Sequence, residues 1–390
     1  MTTRFALAAV LFASACANQE ATDPELTKDE VRDLVGKGDH SGPDYCQLYN
    51  WYGDGICDDF CRNPDPDCAE SCAATPSADE LLVAVEEGGA ATVSAKTGAA
   101  RKKFTTGPNA FGALYSRDGL RAFVTDKTAG TLSEIDRTTG TVLSTLNVGT
   151  TPQQPAITSS GRIYIPLSTA NGIAVVEAGT TKGATMQLVR TIPAGTGSKP
   201  HIVSMSPDQK TLWVTVQGVD PRVMSIELTA SGEGAIKDYR YDIVPRVIDA
   251  ANNGAFFTGH HSTGMHRVDL ATGAVSTPYM DEFGAASGAN KQIEGASTSA
   301  DGKLVSLTHE GRKALVVFQM QGTTSEKLLD IDGLAGVPYW TSLDPNGQVA
   351  YVSIPGTGTV QAYGIGEGCG STPLWTANVG GKVKRMAVRK

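Results

Sequence analysis

A turn signal recurs along this chain at a nearly constant interval. Asp118-Gly119, Ser160-Gly161, Asp208-Gln209, Asn253-Gly254, Asp301-Gly302 and Asn346-Gly347 lie 42 to 48 residues apart. A period of that length means one supersecondary unit repeated several times, and few folds repeat in that way. Each turn leads into a short run rich in β-branched and aromatic residues: "LRAFVTD", "RIYIPLS", "TLWVTVQ", "AFFTGHH", "KLVSLTH" and "VAYVSIP". Such runs read as strands. A glycine-containing break and a second strand follow ("GTLSEID", "HRVDL", "GTVQAYG"). A further turn, "RTTG" at 137–140 or "LATG" at 270–273, then leads to an outer strand such as "TVLSTLNV". Counting the strand ahead of the first turn, four strands fill each period. That predicts an all-β chain folded as a β-propeller.

Strand counting also predicts how the ring closes. The stretch from Leu81 supplies only three strands ("LLVAVEE", "ATVSAK", "ARKKFTT"), and "KVKRMAVRK" at the other end is one strand over. Residues 382–388 are therefore expected as the inner strand of the first blade, completing a seven-bladed β-propeller over 78–390. Cys72 and Cys369 are expected on the face that carries the inner-strand turns, where a Cys72–Cys369 bridge fastens the ring.

"SPDQKTLWVTV" at 206–216 and the run "TAGTLSEIDRTTGTVLSTLNVGTTPQQPAITSSGRIYI" resemble the YVTN family of exported propellers, whose repeat reads proline, apolar strand, Ser-Pro-Asp-Gly, Tyr-Val-Thr-Asn, Val-Ile-Asp-x-x-Thr-Gly. The resemblance spans most of 81–390 and implies architecture more than function, since this fold serves many roles.

The start, "MTTRFALAAVLFASAC", carries one basic residue, an apolar run from Phe5 to Phe12 that is too short to span a bilayer, and small residues before Cys16. This reads as an export signal over 1–15. It resembles a bacterial lipoprotein signal, although Ala13 stands where that family usually has Leu. The resemblance implies lipidation of Cys16 and an outer-membrane or cell-surface location; a soluble secreted or periplasmic protein is the alternative. Residues 16–43 are polar and read as a tether with a short helix between Glu25 and Val35.

Apart from Cys16, six cysteines remain: Cys46, Cys57, Cys61, Cys68, Cys72 and Cys369. An even set in an exported chain implies disulfides. Segment 44–72 has too little apolar surface to fold without such staples. Zinc is the rival, but the C-x3-C-x6-C spacing lacks paired C-x2-C knuckles and nearby histidines. The run "GDGICDDFCRNPDPDC" resembles the Notch-type repeat, and similar segments occur in exported proteins of myxobacteria. The Notch resemblance, which lacks an outer cysteine pair, implies bridges Cys46–Cys61 and Cys57–Cys68 and a bound calcium ion. Asp54, Asp58, Asp59, Asp65 and Asp67 supply the oxygen ligands calcium requires. A solvated acidic loop between disulfides is the plainer reading.

A formal charge of −8 with no Lys/Arg-rich run argues against a nucleic-acid partner, because phosphate neutralisation supplies most of that affinity. Candidate chemistry gathers instead on one propeller face. His201 is expected at the start of an inner strand, and His260, His261, His266 and His309 in or beside loops on the same face. Arg246, Gln292, Glu294, Glu310, Arg312, Tyr339 and Trp340 join them, with the long loop 280–294. Three of His201, His260, His261 and His309 with Glu294 have the ligand types for a transition metal. Tyr339 and Trp340 offer a stacking platform or plain packing between blades. No GxSxG, HExxH, phosphate-loop or CxxCH motif is present.

The expected function is therefore a cell-envelope binding or interaction protein whose propeller mouth takes a ligand or protein partner, touching the membrane only through a lipid anchor. The alternative is a metal-dependent enzyme using mouth histidines, since seven-bladed propellers include lactonases and the virginiamycin B lyase type. A rigid spacer without a ligand is the third reading.

Overall fold

The computed structural model describes residues 26–35, 43–52, 54, 58, 60–63, 65, 72–260, 262, 264–280, 293–366 and 368–389. Seven four-stranded antiparallel sheets make up the propeller. The inner strands are Val383–Arg389 (blade 1), Ala110–Tyr115 (blade 2), Ala156–Ile157 (blade 3), Pro200–Met205 (blade 4), Pro245–Ala251 (blade 5), Ile293–Thr298 (blade 6) and Trp340–Leu343 (blade 7). Blade 1 joins the two ends of the repeat region, as the strand count requires: Glu80–Val85 pairs with Val383–Arg389 on one side and Gly89–Ser94 on the other.

The second strand of a blade lies between sheets stacked on both its faces, so its residues are buried on both sides. Every residue of Arg121–Asp126, Thr211–Val216, Gly254–Gly259 and Val349–Ile354 is buried, which is why these runs read as continuously apolar or small. The outer strands, such as Gln187–Pro193, are mostly exposed.

The recurring turn has a local cause. In blades 2, 4 and 6 the hydroxyl of Ser116, Ser206 or Ser299 donates to the Asp118, Asp208 or Asp301 carboxylate. The same oxygen accepts the N–H of Arg121, Thr211 or Leu304 at 2.9–3.0 Å. Blade 7 has Asp344 at the serine position, and it is used differently. Its carboxylate accepts the N–H groups of Ser77 and Ala78 at 3.0 Å and the Tyr351 hydroxyl at 2.9 Å, pinning the segment that enters the propeller. Beside this clasp, Cys72 and Cys369 are disulfide-bonded.

The small N-terminal region is also stapled, by Cys46–Cys61. Helix Lys28–Val35 belongs to it rather than to a free tether. Thr27 and Glu30 form a reciprocal capping box at its start. Val31 is buried with Cys46 and Phe60, and the Trp51 ring meets Phe60 edge-on at 6.0 Å. The export signal, Cys16, the Cys57–Cys68 pair, Asp59, Asp67, His261, Gln292 and most of loop 280–294 lie outside the described residues.

Candidate functional site

Five inner strands break register at the same end, between Ala110 and Ala113, Pro200 and Ile202, Pro245 and Ile248, Ile293 and Gly295, and Val383 and Met386. A bulge leaves a residue out of the ladder and re-aims its side chain. The bulged segments contain Phe111, His201, Arg246, Glu294 and the pair Lys384-Arg385. Together they form the mouth of the central channel.

A second repeated feature holds them there. The hydroxyl near the end of the second strand, the Thr or Ser of "FVTD", "WVTV", "FFTG" and "YVSI", reaches a backbone carbonyl of the next blade. Thr125 donates to Gln153 (3.0 Å), Thr215 to Arg246 (3.2 Å), Thr258 to Ile293 (3.3 Å) and Ser353 to Lys384 (2.7 Å). Three of these oxygens also accept an N–H from their own inner strand, at Gly112, Ile202 and Trp340. One hydroxyl thus stabilises the start of one inner strand and ties the neighbouring mouth residue to it.

The convergence is visible in the contacts. The Arg246 guanidinium donates through Nε and Nη2 to Glu294 Oε2, the former at 3.0 Å, and through Nη1 to His260 Nδ1 at 3.2 Å. His201 Nδ1 lies 3.1 Å from the Arg246 carbonyl. A carbonyl only accepts, so Nδ1 carries the proton and Nε2 presents a lone pair. Phe111 packs against His201 and Tyr339 with ring centroids 6.3 and 6.5 Å apart. Arg385 lies over Phe111 (4.4 Å) and Trp340 (4.5 Å), Lys127 over Phe111 (3.2 Å) and Lys384 over Tyr339 (4.8 Å).

Positive charge dominates this mouth. Arg385 is 1% exposed and is hydrogen-bonded to Tyr339, while its Nε and Nη1 find no acceptor among the described residues. Burial lowers its pKa from 12.5 to about 10, with Tyr339 and Glu294 opposing and Arg246 adding to the shift. Lys127 pairs with no carboxylate among the described residues, whereas Lys384 sits 3.2 Å from Glu86. Desolvation, with Arg385, Lys384 and Arg246 nearby, brings Lys127 down to about 7. Burial, followed by Arg385, holds His201 well below the usual histidine range, so its ring is neutral at pH 7.

Of the residues singled out from sequence, His201, Arg246, His260, Glu294, Tyr339 and Trp340 meet here. Three others serve the blades. His309 is buried and accepts the Arg312 N–H at 3.2 Å, and Arg312 pairs with Asp330 and Asp332. His266 is buried against Phe257 between the Ser262 and Thr277 hydroxyls, its pKa lowered to about 4 by desolvation. No three His, Cys, Asp or Glu groups among the described mouth residues stand close enough to share a metal. Glu294 is instead paired with Arg246, and the His201 Nδ1 faces a carbonyl. Sequence reasoning missed Phe111, Lys127, Lys384 and Arg385. The signal was present: "KVKR" begins the inner strand of blade 1, so Lys384-Arg385 hold the position that His201 holds in blade 4.

In the small region, Asp58, Cys61 and Asp65 lie together. The Cys61 sulfur is committed to its disulfide, which leaves the carboxylates as the donors. Asp58 is 1% exposed, with Oδ1 unpartnered and Oδ2 2.5 Å from the Lys28 ammonium, which also reaches Asp54 at 2.7 Å. One Asp65 oxygen accepts the Asp58 N–H at 2.9 Å. Oxygen donors and a buried unsatisfied carboxylate oxygen fit a hard cation.

No protein-family model and no curated protein matches the chain. Solved structures share the fold. A Lactobacillus plantarum protein aligns with TM-score 0.65 at 17% identity, over 80% of this chain and 100% of its own. The periplasmic gluconolactonase of Pseudomonas aeruginosa aligns with TM-score 0.65 at 15% identity, over 80% and 99%. A candidate 6-phosphogluconolactonase from Bacteroides uniformis gives 0.61 at 17%, over 76% and 99%. At such identity the likeness is one of fold.

Proposed function

We propose that the propeller mouth binds a small organic anion carrying a carboxylate or phosphate group. The observation that carries this reading is Arg385, a buried guanidinium whose Nε and Nη1 offer three unused N–H donors. An unpaired buried charge is costly, and an anion supplies the missing partner. Lys127, Lys384 and Arg246 raise the local potential against Glu294 and Glu86, and the rings of Phe111, Tyr339 and Trp340 supply apolar surface. The His201 Nε2 lone pair accepts a hydroxyl, which favours hydroxy acids. Calorimetric titration with a panel of mono- and dicarboxylates, sugar acids and phosphates tests this. Saturable binding lost in Arg385→Met is expected; an affinity unchanged by that substitution rules the site out.

A second reading, hydrolysis of a lactone, rests on the neutral His201 beside cationic groups and on the lactonase names of two fold neighbours. Water would add to the ring carbonyl with its proton passing to His201 Nε2, and the ring C–O bond would break as that proton reaches the leaving oxygen. Arg385 would stabilise the oxyanion. Proton release from glucono-1,5-lactone in a pH-stat, absent in His201→Ala, is the supporting result.

The exported setting is proposed on separate grounds. Two disulfides suit an oxidising compartment, and no helix among the described residues is long and apolar enough to cross a membrane. Lipidation of Cys16 is tested by the mass of the N-terminal peptide. Calcium binding by Asp54, Asp58 and Asp65, with Asp59 and Asp67 as further donors, rests on the orphan Asp58 oxygen. A calcium-dependent rise in melting temperature, lost in Asp58→Asn, is expected.

A further inference from the structure

We infer that Lys127 forms a covalent imine with the carbonyl of a 2-oxo acid whose carboxylate is held by Arg385. The inference rests on the anion-binding reading and goes beyond it by naming a reactive amine and a carbonyl-bearing ligand class.

The argument begins with a contrast between the two mouth lysines. Lys384 sits 3.2 Å from the Glu86 carboxylate, which serves it as a counter-ion. Lys127 lies on the loop after the second strand of blade 2, over the face of Phe111, with no carboxylate among the described residues in ion-pairing reach. The charged groups that face it are Arg385 and Lys384 from blade 1 and Arg246 from blade 5, with Glu86 the opposing charge. A lysine desolvated beside other cations sheds its proton near neutral pH and becomes a nucleophile. The position of about 7 agrees with that geometry.

Placement supplies the second half. Lys127 Nζ and the Arg385 guanidinium both lie within 4.4 Å of the centre of the Phe111 ring. The two groups are therefore no more than 7.6 Å apart, and a 2-oxo acid, with its carboxylate and carbonyl carbon on adjacent atoms, has the length to contact both at once. The amine nitrogen adds to that carbon, and the nitrogen loses its protons to solvent as the oxygen is protonated and leaves as water. The C=N bond forms with no change in oxidation state. Lactate and other 2-hydroxy acids occupy the anion site without reacting.

The test uses the intact protein with pyruvate and borohydride, which delivers hydride to the imine carbon and fixes the adduct as a secondary amine. One reduced pyruvyl group per chain, located at Lys127 by peptide mapping and lost in Lys127→Arg, is the expected result. Trapping rises as pH increases through about 7, since the neutral amine is the reacting form. Parallel calorimetry of wild-type protein with lactate separates the two claims. Lactate binding with no pyruvate adduct overturns the imine and leaves the anion site standing; neither binding nor adduct overturns both. Labelling spread over lysines equally in wild type and Lys127→Arg also overturns the inference.

Discussion

Replacing Arg385 by methionine should make the propeller more stable while abolishing anion binding. The side chain is 1% exposed and pairs with no carboxylate among the described residues, and its pKa falls from 12.5 to about 10. At about 1.36 kcal/mol per pH unit, the charged form is destabilised in the fold by roughly 3 kcal/mol. Methionine keeps most of the aliphatic stem and recovers that cost. It forfeits the contacts with Phe111 and Trp340 at 4.4 and 4.5 Å, worth roughly 0.5–1 kcal/mol each. The balance is a gain of about 1–2 kcal/mol, or about 1.5–3 °C in melting temperature for a domain of this size. Differential scanning calorimetry without ligand reads the shift, and saturating ligand should raise the wild type but not the variant. A variant that melts below the wild type while still binding the acid would refute the reasoning, because Arg385 would then be a satisfied structural residue.

Four further outcomes follow from the structure. Because Lys127 loses its charge as pH rises through about 7, affinity for a non-reactive acid should fall between pH 6 and 9 and flatten in Lys127→Met. Between about 7 and 10.5 the unfolded chain binds the proton that the folded one has released, so Lys127 makes the fold more stable with rising pH in that window, a slope the methionine variant lacks. Thr215→Val leaves the Ile202 N–H without its acceptor, which should cost about 1–3 kcal/mol in urea unfolding; it also frees the Arg246 backbone and weakens ligand binding. Joint replacement of Cys72 and Cys369 by serine opens a bridge between residues 297 apart and should lower unfolding free energy by about 2–5 kcal/mol.

The blade pattern was legible because it is local. The Ser-x-Asp turns, the apolar second strands and the surplus strand "KVKRMAVRK" each announce their geometry within a few residues. The closing pair Glu80–Val85 and Val383–Arg389 followed from counting alone. The mouth was only half legible. His201, Arg246 and Glu294 stood out by residue type, whereas Lys127 and Arg385 resemble ordinary surface cations until the bulges and Phe111 are in place. His309 and His266 are the opposite case: their residue type stands out, and the fold places one at a turn on the Arg312 N–H and the other against Phe257 within a blade. Glu294 likewise shows its setting only in the fold, where Arg246 from the neighbouring blade pairs with it.

Blade 1 is assembled from the first and the last strands of the propeller, and the last of them carries both Lys384 and Arg385. During synthesis every other blade can fold on the chain already made, but the proposed anion site lacks Lys384 and Arg385 until Val383–Arg389 leaves the ribosome and pairs with Glu80–Val85. A chain cut before Val383 lacks both the strand that closes the ring and the two cations of the proposed anion site. If the mouth binds an anion as proposed, a fragment without this strand has nothing with which to compete for the acid.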